Sequence, residues 1–341
     1  MENKKILLTG VTGFLGSHLV IQLLNRGYSV KGTLRNSARI DSIKKIIGEY
    51  SSKLQNLSFT EIDLSDDLEK WKEVMAGIDF VMHVASPFPT TLPKDEKDLI
   101  LPAKNGTLNV LRSAQAAGVK RIVITSSSGA AVYGERKNGV FSEKDWTNVN
   151  NKQDTTPYFR SKTIAEKAAW DYASNTPGAP ELVTILPGAI LGPVIDKSDS
   201  GNSVNIVKKM VDGSMPAIPK IGFETVDVRS VAEAHIKALE YREAPGNRYL
   251  CANGFLQFKD VANILRQHFP RRKVPSRTLP DFMVRLFSYV DQETKPVLND
   301  LGAQRLIDNS KIKEELDWQP ISLEESVKDT AESLIRLNIV K

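Results

Sequence analysis

The sequence predicts an α/β protein built on a doubly wound parallel sheet, with a smaller, mainly helical lobe towards the C-terminus. Three observations predict it. A glycine run joins a short apolar segment to a helix-patterned one within the first 30 residues. Short apolar segments then alternate with helical ones as far as Pro187. Turn residues follow the apolar segments at their carboxyl ends, as in Ser86-Pro87 and Ser126-Ser127-Ser128. Repeated strand–helix units place the strands side by side and parallel, with helices covering both faces.

Lys5–Thr9 is apolar and bounded by glycine, so it reads as a buried strand. Gly10-Val11-Thr12-Gly13-Phe14-Leu15-Gly16 follows, and helical periodicity begins at Ser17. A G-x-x-G-x-x-G run between strand and helix is the setting in which a backbone cradles a pyrophosphate. Gly10 and Gly13 permit the tight turn and close approach, and Gly16 permits close helix packing. The helix N-terminus offers free N–H groups and the positive end of its dipole. Gly27 to Arg35 reads as helix end, turn and second strand. A site for NAD carries Asp or Glu at that strand's tip for the ribose hydroxyls. Here stand Thr33, Leu34 and Arg35, with no acid before Asp41. An Arg fork suits a 2′-phosphate that a carboxylate would repel, so the expected cofactor is NADPH/NADP+. Lys44 or Arg39 is a second phosphate contact or a solvated cation.

Leu57–Ile62 is the next strand, with Asp63 and Leu64 at its end; Asp79–Ala85 is another, ending in Ser86-Pro87. Leu99–Ala117 reads as a long helix and Arg121–Thr125 as a strand running into the serines. Ligands of such sheets sit at the carboxyl ends of the strands. Tyr158 and Lys162 follow, four residues apart and so on one helix face. A nearby ammonium favours the phenolate, and a tyrosine so tuned exchanges a proton with a carbonyl oxygen.

These motifs, in this order, resemble the extended short-chain dehydrogenases/reductases, whose sheet is of the Rossmann type. Tyr158-Phe159-Arg160-Ser161-Lys162 with Ala165–Trp170, Pro187–Pro193, Asp227–His235 and Leu316–Pro320 resemble the dihydroflavonol 4-reductase branch. The resemblance runs from residue 5 to about 337. It implies NADPH-dependent reduction of a carbonyl compound through a Ser-Tyr-Lys site. Tyr158 is then the proton donor, Lys162 holds the nicotinamide ribose and lowers the tyrosine, and Ser127 bonds the substrate oxygen, with Ser128 as its rival. The implied cofactor site adds Gly10, Thr12, Gly13, Phe14, Leu15, Gly16, Arg35, Lys44, Asp63, Leu64, Val84, Ala85, Ser86, Pro187 and Gly188. Gly134–Phe141 does not match the substrate segment of plant flavonoid reductases, which leaves the broader expectation of a carbonyl reductase. NADP-dependent alcohol or hydroxysteroid oxidation, sugar epimerisation and a non-catalytic dinucleotide sensor are the alternatives on the same fold.

The strand–helix alternation weakens after Pro187. Residues 1–187 plus 226–253 are expected to form the dinucleotide-binding domain, with 225–228 and 248–250 returning to its sheet. Residues 188–225 plus 254–341 are expected to form the substrate lobe. Phe88, Leu92, Phe282, Met283, Leu286, Phe287 and Tyr289 are expected to offer the substrate an apolar wall.

Composition fits this reading. A formal charge of +5 over 341 residues is small, and Arg271-Arg272-Lys273 reads as a solvated loop, so no nucleic-acid partner is expected. No apolar run reaches membrane length. The N-terminus lacks signal-peptide patterning. One cysteine, Cys251, fits a reducing compartment, so a cytoplasmic monomer or homodimer is expected. Four histidines in no ligand spacing predict no metal site.

Overall fold

A computed structural model describes residues 4–87, 95–197, 201–287 and 296–340. Seven parallel strands form the main sheet in the order β10-β7-β5-β4-β1-β2-β3. In chain order the elements are β1 (Lys5–Thr9), α1 (Phe14–Asn25), β2 (Ser29–Leu34), α2 (Ile40–Gly48), β3 (Leu57–Glu61), α3 (Leu68–Met75), β4 (Phe80–His83), α4 (Lys97–Ala116) and β5 (Arg121–Thr125). After these come β6 (Asn138–Phe141), α5 (Pro157–Asn175), β7 (Glu181–Pro187), β8 (Ala189–Leu191), α6 (Asn202–Val211), β9 (Gly222–Asp227), α7 (Val228–Glu240) and β10 (Arg248–Cys251). The chain ends with β11 (Phe255–Gln257), α8 (Phe258–His268), α9 (Asp281–Phe287), β12 (Gln304–Ile307), α10 (Ser310–Leu316) and α11 (Leu323–Arg336).

The strand order reverses between β1 and β4, because the chain crosses there from one half of the sheet to the other. Helices crossing from one strand to the next bury their apolar stripes on both faces. One face packs α1 and α7 through Leu15, Leu19, Leu23, Val231 and Leu239. The other packs α3, α4 and α5 through Trp71, Val110, Leu111 and Ala169. The strand cores are apolar without alternation, as a sheet buried on both sides requires.

The return to the sheet is made by β10 on the outer side of β7. The segment around residues 225–228, expected beside it, instead joins a small sheet of order β11-β9-β8. Thr225 and Val226 are β-prone and buried, and either sheet would satisfy them. The small sheet packs on α6, α8 and α11 around Val204, Met210, Phe258, Leu265 and Val327. A third pairing, parallel β12 on β6, joins the middle of the chain to its C-terminal part.

Candidate active site

The glycine turn is shaped by two of its three glycines for protein reasons and by the third for none. Gly10 has φ +74°, and a Cβ there would meet the Ala85 backbone at 3.1 Å. A Cβ on Gly16 would lie 2.0 Å from the Gly10 carbonyl oxygen, so α1 sits against the turn only because that position is bare. A Cβ on Gly13 would find only the Gly10 oxygen, at an ordinary 3.5 Å. Its missing side chain therefore leaves space for something other than protein. No side chain caps the N-terminus of α1, and its first turn holds no acid. Open space, uncapped N–H groups and no competing carboxylate together fit a dinucleotide pyrophosphate.

Thr9, which the sequence does not single out, ties the switch point together. Its Oγ1 accepts the N–H groups of Val84 and Ala85, both at 3.0 Å. Its own proton is then directed to His83 Nδ1, 2.9 Å away. Burial holds His83 neutral, down at about 3, with the Lys162 charge pushing the same way. This latch fixes Val84 and Ala85 at the end of β4 and brings Ala85 against Gly10. At the next strand end Asp63 accepts the hydroxyl and N–H of Ser65 at 2.6 and 2.9 Å. Those bonds, with help from the Arg35 charge, hold its carboxyl below the usual range. Arg35 is exposed at the tip of β2, and Leu64 packs under Gly106 of α4. Lys44 lies 6.0 Å from the Phe59 ring centre, while Arg39 pairs with Asp196 at 3.1 Å. At the sheet's other side Pro187 is buried, and Gly188 N–H donates to Cys251 O.

Thr156 caps α5 by accepting the Phe159 N–H, and Pro157 fits the first turn. The helix then presents Tyr158, Lys162 and Glu166 at successive turns. Ser127 hydrogen-bonds the Tyr158 hydroxyl and also accepts the Gly129 N–H at 3.1 Å. Ser128 opens the short turn behind it. Of the rival serines, Ser127 is the one brought to the tyrosine. The expected lowering of Tyr158 by Lys162 is not what dominates. Burial pushes the phenol up to about 12, and Ser127 pulls it partly back. The Lys162 ammonium donates instead to Thr125 O at 3.2 Å, and burial lowers it to about 8 against the pull of Glu166.

The expected substrate wall is not assembled as the sequence suggests. Phe88, Leu92 and Tyr289 lie outside the described residues, as does the Phe287 side chain. Phe282 and Leu286 are 70% and 66% exposed rather than enclosed, because α9 is short and turns that face outwards. Just beyond Gly188, Ala189, Leu191, Ile206, Phe223 and Leu256 line an apolar recess of about 20 Å³, which holds a water molecule and no more. Among the described residues no helix is long and apolar enough to cross a membrane, and no group of three or more His, Cys, Asp or Glu is placed to hold a metal ion.

Fold and strand-end residues together define a dinucleotide-dependent enzyme of the extended short-chain dehydrogenase/reductase class. The chain belongs to the NAD dependent epimerase/dehydratase family, whose model matches residues 6–252. It is therefore an NAD(P)-dependent oxidoreductase. An uncharacterized oxidoreductase of Schizosaccharomyces pombe is 34% identical over 80% of this chain and 84% of its own. Dihydroflavonol 4-reductase of Zea mays is 31% identical over 88% of this chain and 84% of its own. The crystal structure of yeast methylglyoxal/isovaleraldehyde reductase Gre2 complexed with NADPH superposes with a TM-score of 0.82 at 27% identity, covering 99% of this chain and all of that one.

Proposed function

We propose that the protein reduces hydrophobic or aromatic aldehydes and ketones to alcohols with NADPH. The observation that carries the reading is the convergence of Ser127, Tyr158 and Lys162 at the carboxyl end of β5, beside the glycine turn's side of the sheet. Its relatives act on carbonyl groups, by name, and the Gre2 structure holds NADPH.

NADPH, when bound, supplies the hydride to the carbonyl carbon. The carbonyl oxygen then gains negative charge. Ser127 donates a hydrogen bond to it and Tyr158 transfers its proton, completing the alcohol. A phenol kept protonated by burial is in the correct state to act as the acid. Lys162 keeps a positive charge beneath that oxygen and holds the cofactor ribose. Arg35 receives the 2′-phosphate, and the first turn of α1 receives the pyrophosphate. Asp63 and Leu64 flank the adenine, while Val84, Ala85, Ser86, Pro187 and Gly188 bound the nicotinamide half. The small lobe supplies the substrate's apolar surroundings.

NADPH absorbance decay should be followed with an aromatic ketone, an aliphatic aldehyde, a dihydroflavonol and a nucleotide-sugar. The highest kcat/KM is expected for an apolar carbonyl compound. A preference for the nucleotide-sugar would replace this reading with epimerisation or dehydration.

A further inference from the structure

Beneath Lys162, one turn further along α5, lies a buried carboxylate to which the reductase mechanism gives no task. Glu166 is 2% exposed. Its Oε2 accepts the Ser126 hydroxyl at 2.6 Å, and its Oε1 accepts the Thr184 hydroxyl at 2.8 Å and Arg248 Nε at 2.7 Å. Trp170 Nε1, on the next turn of the same helix, donates to Oε1 at 3.3 Å. One carboxylate thus joins α5 to the serine turn after β5, to β7 and to β10. Arg248 is held in turn by the carbonyls of Glu143 and Asp145, at 2.7 and 2.9 Å, and lies 3.6 Å from the Trp146 ring centre.

A buried ion pair is an expensive way to join four elements, since desolvating both charges offsets most of their attraction. An apolar cluster would hold the fold as well. The pair's position points to a different role. Ser126 precedes Ser127 in the chain, so the Glu166 bond fixes the backbone that presents the Ser127 hydroxyl. Lys162 is one helical turn from Glu166, and the carboxylate opposes the loss of its proton. The other titratable groups near Lys162 are Tyr158, one turn earlier on α5 and kept protonated by burial, and His83 of β4, held neutral by burial.

We propose that Glu166, with Arg248 as its counter-ion, is a positioning residue of the reductase: it keeps the Lys162 ammonium charged at working pH and sets the placement of Ser127. This rests on the proposed function only for its catalytic consequence. The ionisation is read without turnover. Reductive ¹³C-methylation followed by NMR titration, with Lys162→Arg identifying the signal, gives the Lys162 transition directly. Glu166→Gln keeps the size and one acceptor oxygen and removes the charge, so this transition should fall by about one pH unit. Glu166→Asp keeps the charge and should largely restore it. In kcat, the alkaline fall of the parent enzyme should move down by the same amount in Glu166→Gln, with a loss of about 10-fold at neutral pH. Glu166→Gln/Arg248→Gln replaces the ion pair by two amides and serves if the single variant does not fold; its Lys162 transition should also fall. A Lys162 transition unmoved in the folded variant overturns the proposal, and a drop in melting temperature without that shift marks Glu166 as structural only. A parent enzyme inactive on every carbonyl, with the Lys162 shift intact, rejects the reductase reading and leaves the ionic coupling standing.

Discussion

Tyr158 and Ser127 show why residue spacing alone does not settle a site. The four-residue interval places Tyr158 and Lys162 on one helix face, but burial raises the phenol to about 12, and the hydrogen bond from Ser127 is what opposes it. Tyr158→Phe, which keeps the ring and removes the transferable proton, should lower kcat by about 10²-fold or more while NADPH affinity changes little. A Phe variant with near-parental turnover would reject Tyr158 as the acid. Serine register is a second test at this scale. Ser127→Ala should lose turnover and Ser128→Ala should keep most of it, because only Ser127 meets the phenol; the reverse result would shift the site by one residue. Arg35→Asp should weaken NADPH by about 10- to 100-fold while NADH changes far less, since the substitution removes a charged donor and adds repulsion. Equal kcat/KM for both cofactors in the parent enzyme would defeat that assignment.

At the scale of elements, the β1–α1 unit was legible because its glycines, apolar strand and helix are contiguous. Gly16 carries a strict steric demand. The Cβ of Gly16→Ala would lie 2.0 Å from a backbone oxygen, and backbone cannot swing aside as a side chain can. The variant should lose roughly 1–3 kcal/mol of stability, measured by urea unfolding, and most of its cofactor affinity; parental values for both would refute the packing argument. Thr9 escaped notice because a threonine ending a strand carries no signal until His83, 74 residues away, is beside it. The same limit explains β6 and β12. Each is only four residues long, and their pairing joins Asn138–Phe141 to Gln304–Ile307, so nothing local marks either as a strand.

Over the whole molecule, buried polar groups link segments that the sequence keeps far apart. Arg305 of β12 pairs with Asp154 at 2.6 Å and Asp300 at 2.8 Å, its guanidinium lies over the Tyr133 ring, and the Tyr133 hydroxyl donates to Asp300 at 3.0 Å. Tyr133 stacks on Phe159, the neighbour of Tyr158. His235 joins α7 to the end of β5: its Nδ1–H donates to Val231 O, and its Nε2 accepts the Thr125 hydroxyl at 2.7 Å. Burial lowers His83 to about 3 and His235 to about 4 from an ordinary 6.5. Above pH 6.5 both are neutral whether folded or unfolded. As pH falls below 6.5 the unfolded chain binds protons that the folded chain refuses, so stability is lost down to about pH 4. For His235 this amounts to about 2 kcal/mol at pH 5. Urea unfolding at pH 7.5 and 5.0 should show the loss, and His235→Asn should reduce it; an equal loss in both proteins would remove His235 from the account. The alternating chemistry of the first 187 residues sufficed for β1 to β5 of the parallel sheet, the glycine turn and the Tyr158–Lys162 pair, because each is written in neighbouring residues. The placement of β9 in the small sheet, the choice of Ser127 and the Glu166–Arg248 pair were decided by the tertiary structure. Each depends on which distant groups share a water-free space, and burial there sets both partner and charge.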